Sequence, residues 1–149
     1  MTRWLFAAIH LLALGIGLGS VWARGRALRG ELNSGGLRRA FYADAWWGIA
    51  ALLWVSTGLV RGFGGLEKGS AYYLHNHLFQ AKMGMFLVIL VLELRPIVML
   101  TRWRSQVRRG ETPDIRPAAA LARTSFVQAA LVALMVLAAT GMARGYGNP

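Results

Sequence analysis

The 149-residue sequence contains no cysteine, which excludes both a disulfide bond and a thiolate metal site. Acidic residues are scarce: the chain has six of them and seventeen lysines and arginines, which gives a net charge of +11. Hydrophobic residues make up 56% of the chain, more than a soluble domain of this size could keep out of water. Because the basic residues lie in short segments between apolar runs, the pattern indicates a membrane protein and not a partner of nucleic acid.

Four apolar runs are long enough to cross a hydrocarbon core of about 30 Å. Inside a bilayer every backbone polar group needs an internal partner, so each run is predicted to form a helix. We therefore expect an all-α integral membrane four-helix bundle, surrounded by the lipid bilayer, with residues 1–149 forming one transmembrane domain. The runs cover approximately residues 4–22, 42–60, 78–100 and 118–143.

Basic residues are concentrated after the first and third runs, and this asymmetry predicts the orientation. Both basic segments are expected in the cytoplasm, with both termini outside, as in a multi-pass protein of the bacterial inner membrane. Cleavage of the first run as a signal peptide is the alternative, but five arginines soon after the run favour an anchor. The two basic segments hold Arg24, Arg26, Arg29, Arg38 and Arg39, and then Arg102, Arg104, Arg108, Arg109 and Arg116.

A motif of the form T-G-x-x-R-G-aromatic-G closes the second and fourth runs, at residues 57–64 and 140–147. Both runs are predicted to pass from inside to outside, so the repeat indicates two helical hairpins in parallel orientation. Capping is one interpretation, because glycine suits the position after a helix and arginine in the last turn complements the helix dipole. The other is that Arg61 and Arg144 also bind an anionic group at the outer surface.

Two ionisable residues are expected within the outer half of the membrane. His10 lies early in the first run and Lys82 lies early in the third, and both runs enter from outside. His10 shares a helical face with Gly17, where a flat ligand could approach the helix. A lone histidine in a span either hydrogen-bonds a neighbouring helix or serves as an axial ligand of haem iron.

Charged residues near the inner ends of the spans are expected to form ion pairs, because charge within lipid is costly. Asp44 and Glu93 are the acidic members, and Arg95 or Arg123 is predicted to meet one of them. Such a pair can be a structural contact that sets helix register, which we favour. In the alternative, Glu93 belongs to a proton path.

Two histidines, His75 and His77, precede or begin the third run. Their spacing of two suits an extended segment and not one face of a helix. They could bind a surface metal, but we favour solvated residues that cap the third helix.

The segments IHLLALGIGLGSVWARGRALRG, GLEKGSAYYLHNHLFQAKMGMF and TGMARGYG resemble a family of uncharacterised bacterial four-span membrane proteins, known as a domain of unknown function. The resemblance covers nearly the whole chain and implies the fold and a membrane location. A second resemblance is to the haem-containing membrane protoporphyrinogen oxidases, through Trp4, His10 and the Lys82 of QAKMGMFLVILVLEL. It implies that His10 is an axial haem ligand and that Lys82 lies near the tetrapyrrole.

Two functions remain open. In the first, the chain is a haem-b redox protein with its pocket in the outer leaflet, and Arg61 and Arg144 pair with the haem propionates. In the second, it is a cofactor-free structural or accessory subunit of a larger respiratory or photosynthetic membrane complex. A transporter is disfavoured because four spans are few and no helix looks broken in its middle, with Pro96 placed near a helix end.

Overall fold

Four long helices form the protein in a computed structural model, which describes residues 2–63 and 76–146 and, of these, the side chains of residues 4–60 and 76–146. Every helix is long and apolar enough to cross a membrane, and the described part of the chain contains no strand. The prediction of an all-α membrane bundle is therefore confirmed. The helices are α1 (Thr2–Arg29), α2 (Ser34–Phe63), α3 (His77–Arg108) and α4 (Ala118–Ala143).

The helices extend well past the apolar runs at their basic ends. α1 continues to Arg29 and α3 to Arg108, because arginine is a good helix former and can keep its charged end in water. Arg24, which the sequence pattern assigns to the first loop, lies within α1. Pro96 was likewise misplaced, since it is buried inside α3 and not near its end. Pro96 has no N–H to donate to the carbonyl of Leu92, yet the helix continues through it.

Adjacent helices in the chain run antiparallel and close into a bundle. α1 packs against α2 and α4, and α4 packs against α3. The bundle closes between α2 and α3 through side chains, where the Trp54 and Phe86 ring centroids lie 5.9 Å apart. We call the end that holds the start of α1 and the end of α4 the outer end, and the opposite end the inner end, following the predicted orientation.

Two apolar clusters form the core, one in the middle of the bundle and one near the inner end. Each takes residues from all four helices, because each helix buries one stripe of side chains. The middle cluster contains Val21, Trp47, Ile89, Ala129, Val132 and Met135. The inner cluster contains Leu28, Leu37, Ala40, Leu100, Trp103, Ala118, Leu121 and Ala122.

The second copy of the repeated motif ends α4 with a left-handed glycine, Gly145, at a φ of 88°. Its N–H donates to the carbonyl of Met142 (3.0 Å), and the N–H of Tyr146 donates to that of Gly141 (3.2 Å). These two bonds form a Schellman motif, so Gly145 has the capping role that the motif predicts. The side chain of Arg61, in the first copy, lies outside the described part of the chain.

Asn76, and not a histidine, caps the start of α3. Its side-chain oxygen accepts hydrogen bonds from the N–H groups of Leu78 (3.0 Å) and Phe79 (3.2 Å). Its side-chain nitrogen donates to the carbonyl of Tyr146 (3.2 Å), so one buried residue joins the start of α3 to the end of α4. His77 is exposed in the first turn, and the cap predicted for it was wrong because an amide oxygen already fills that place. His75 lies outside the described residues.

Candidate functional site

A buried arginine, Arg24, occupies the space between the two apolar clusters. Nε donates to Ser125 Oγ (3.0 Å), and Nη1 donates to Asp44 Oδ1 and Glu93 Oε1, both at 2.8 Å. Nη2 donates to Glu93 Oε2 (2.9 Å) and Gln128 Oε1 (2.8 Å). A guanidinium has five N–H donors, so every one of them has an acceptor. Because the acceptors lie on α2, α3 and α4, this one side chain joins all four helices.

The groups that surround Arg24 are also hydrogen-bonded to one another. The second oxygen of Asp44 accepts from Arg104 Nη2 at 2.7 Å, and Gln128 Nε2 donates to Glu93 Oε2 at 2.7 Å. The layer therefore contains two arginines and two carboxylates, and its formal charges cancel. Buried charge is tolerated when it is paired and fully hydrogen-bonded in this way.

The arginines that pair with the acidic residues are not those that the sequence predicted. Arg95 and Arg123 are exposed, and neither forms a salt bridge within the described part of the chain. Arg95 follows Glu93 by two residues, or about 200° around the helix, so it faces away from the bundle centre. The role of Glu93 in a proton path stays a prediction.

A signal in the sequence could have identified Arg24. His10, Gly17 and Arg24 follow one another at intervals of seven residues, which places them on one face of α1. Gly17 and Arg24 are both buried. The apolar run ends near Trp22, however, and hydropathy alone assigns the following arginines to the loop.

The imidazole of His10 faces α2 in the outer half of the bundle. Its Nδ1 lies 2.9 Å from Thr57 Oγ1, and its ring stacks on Trp54 with the centroids 5.6 Å apart. The Thr57 hydroxyl also lies within hydrogen-bond distance of the carbonyl oxygens of Leu53 (2.7 Å) and Trp54 (3.1 Å).

Trp54 carries an unpaired polar group beside that histidine. Its indole N–H is buried and is the one buried side-chain donor or acceptor without a hydrogen bond among the side chains that the structure describes. A buried donor without a partner costs about 1–3 kcal/mol. Such a group is therefore unusual among buried polar side chains.

The outer part of α3 packs more loosely than its inner part. Residues 77–88 bury no side chain, whereas Ile89, Pro96, Leu100 and Trp103 are buried farther along the helix. Lys82 is half-buried, with Nζ 6.0 Å from the centroid of the Phe79 ring. The rings of Trp54 and Phe86 pack against the middle cluster, and the ring of His10 stacks on Trp54 on the side towards the outer end.

The remaining residues of the predicted site are placed differently. Gly17 is buried against α2, where an added Cβ would lie 3.5 Å from Ala50 Cβ and from Trp47, and its contact with a flat ligand stays a prediction. Arg144 is exposed at the end of α4. No group of three or more histidine, aspartate or glutamate residues suited to a metal ion occurs in residues 2–63 and 76–146.

A protein-family model described as Predicted membrane protein (DUF2214) matches residues 2–147. The match includes all four helices. No curated protein and no solved structure matches the chain.

Proposed function

The chain belongs to the Predicted membrane protein (DUF2214) family, and from that premise we propose that it is a haem-b-binding redox protein with its pocket in the outer half of the bundle. The observation that carries the proposal is the buried indole N–H of Trp54, which has no hydrogen-bond partner. The indole ring of Trp54 also stacks against the ring of His10, a histidine within a membrane span. Ionisable residues within a membrane usually serve a function. A bound group with a carboxylate or carbonyl would supply the acceptor that the indole lacks.

The side chains of this region suit a haem group. The hydrogen bond between His10 Nδ1 and Thr57 Oγ1 holds the ring in one orientation, as is common for histidines that bind metal through the other nitrogen. Haem b, when bound, would supply one-electron redox chemistry. Lys82 is half-buried on the loosely packed part of α3 and is the cation we assign to the pocket. Arg144, exposed at the outer end, and Arg61 stay predicted partners of the propionates.

The proposal is tested by the absorption spectrum of the protein purified in mild detergent. We expect a Soret band that is lost in His10→Ala and retained in His77→Ala, because His77 is an exposed histidine in the first turn of α3. A colourless, folded wild-type protein that also fails to bind added haem would contradict the proposal.

A change at Trp54 separates ligand binding from packing. Trp54→Phe keeps an aromatic ring and removes the indole N–H, so haem retention should fall. The free energy of unfolding of the haem-free protein should stay within about 1 kcal/mol of the wild-type value, because the change also removes an unpaired buried donor. Unchanged haem retention, measured as the ratio of Soret to protein absorbance, would show that the indole N–H has no part in binding.

The alternative function, a cofactor-free accessory subunit, is favoured by a different observation. The hydrogen bonds of Arg24 join all four helices through the chain's own side chains, which is a structural role. For such a subunit we expect a colourless protein that co-purifies with a larger membrane complex. A pure, haem-free monomer under the same mild conditions would argue against it.

A further inference from the structure

A groove of about 510 Å³ opens at the inner end of the bundle, between the end of α1 and the start of α4. Leu28, Leu32 and Ile115 form part of its apolar lining. Arg29 and Arg123 also line it. This combination of apolar surface and positive charge suits an amphiphile with a negatively charged headgroup better than a small soluble anion.

The arginines that line the groove differ in whether an acidic side chain of the protein pairs with their positive charge. Arg116, which also lines the groove, donates hydrogen bonds to Asp114 at 2.7–3.1 Å and so contributes little free charge. Arg29 stacks on the Phe126 ring, 5.2 Å from its centroid, an arrangement that leaves its N–H edge available. Neither Arg29 nor Arg123 forms a salt bridge within the described part of the chain, although Glu31 also lines the groove.

Arg123 also lies on a helix face that is directed at lipid. Val127 and Leu134 follow it along one face of α4, and these two side chains are 50% and 49% exposed. An arginine at the membrane end of an apolar stripe extends its guanidinium towards the lipid headgroups. The acyl chains of a lipid can then lie along the stripe while its phosphate meets the arginine.

We propose that this groove binds the headgroup of an anionic phospholipid, with Arg29 and Arg123 as the groups that contact the phosphate. Basic pockets between transmembrane helices are suited to such headgroups because charge attraction and apolar contact act together. The lipid would fill the space between the end of α1 and the start of α4.

The test compares lipid retention by the protein in nanodiscs that contain phosphatidylglycerol and phosphatidylcholine, measured by native mass spectrometry. We expect selective retention of phosphatidylglycerol, about 30-fold weaker in Arg29→Gln/Arg123→Gln, since each basic residue adds to the attraction for an anionic lipid. The matched control is Arg26→Gln/Arg95→Gln, which removes two exposed arginines that do not line the groove. It should retain phosphatidylglycerol as the wild type does.

The proposal would be overturned by equal retention of both lipids, by equal loss in the groove and control variants, or by no loss in the groove variant. Single Arg123→Gln should show an intermediate loss and covers the case in which the double variant does not fold. Inorganic phosphate added to phosphatidylcholine nanodiscs distinguishes a soluble anion from a lipid. If phosphate raises the unfolding temperature as much as phosphatidylglycerol does, the lipid assignment is wrong.

Discussion

At the scale of single residues, burial separates Arg24 from the arginines near it in sequence. Arg24 has no exposed surface, whereas Arg26 and Arg29 on the same helix are exposed. The difference arises from helix rotation, because Val21, Arg24 and Leu28 share the face that α1 turns towards the bundle centre. Replacing a buried, paired charge removes a hydrogen bond from each of its partners, so residue identity should matter most here.

We predict that Arg24→Ala lowers the free energy of unfolding by about 3–5 kcal/mol, because Glu93 would lose the arginine it pairs with and Asp44 would keep only Arg104. Arg26→Ala, at an exposed position on the same helix, should change it by no more than about 0.5 kcal/mol. Denaturation in mild detergent, followed by circular dichroism, measures both. Equal values for the two variants would show that the Arg24 layer does not hold the bundle together.

At the scale of the helices, glycines that look alike in the sequence differ in their surroundings. A Cβ on Gly25 would lie 2.9 Å from a ring carbon of Phe126, whose ring also packs against Trp22 with the centroids 4.9 Å apart. A Cβ on Gly15 would meet nothing within 4 Å. Gly25 therefore permits the close approach of α1 and α4, whereas Gly15 lies on an open face.

Gly25→Ala should destabilise the protein by about 1–3 kcal/mol, because the Phe126 ring cannot move freely between its neighbours. Gly15→Ala should be neutral or stabilising by up to about 1 kcal/mol, since alanine is the better helix former. Thermal unfolding of the two variants in the same detergent checks the difference. A stabilised Gly25→Ala would contradict the close packing of α1 on α4.

The cap of α3 provides a second prediction for a helix. Asn76→Ala removes two hydrogen bonds to the first turn and the link to Tyr146, and should cost about 1–2 kcal/mol. His77→Ala, at the next position, should have almost no effect. If His77→Ala were the more damaging change in unfolding experiments, the histidine would be part of the cap after all.

At the scale of the whole molecule, the orientation follows from the distribution of basic residues and stays a prediction. The absence of cysteine makes it testable with single introduced cysteines. His77→Cys should react with a membrane-impermeant maleimide in intact cells, and Glu111→Cys only after the membrane is made permeable. Both positions are exposed on the protein surface, so a difference in maleimide labelling would report the side of the membrane and not burial within the protein. The opposite labelling pattern would reverse the predicted topology.

The sequence supports the architecture more securely than the site. The length of the apolar runs was enough to predict four spanning helices, because the bilayer sets a minimum length and requires each backbone group to be paired within the chain. The same runs put the ends of α1 and α3 too early, and so placed Arg24 in a loop and Pro96 near a helix end. An apolar run ends at the first charged residues, whereas a helix continues as long as its backbone hydrogen bonds can form. His10 was identified because a histidine in an apolar run stands out, but Trp54 beside it was not.

Composition and hydrophobic length therefore determined the class of this protein, its number of spans and its expected direction in the membrane. Only the tertiary structure decided which arginine lies at the bundle centre, which residue caps α3 and which buried donor lacks an acceptor. These features depend on the rotation of each helix about its axis and on the side chains that its neighbours present. A run of apolar residues specifies that a helix forms but not which of its faces meets another helix.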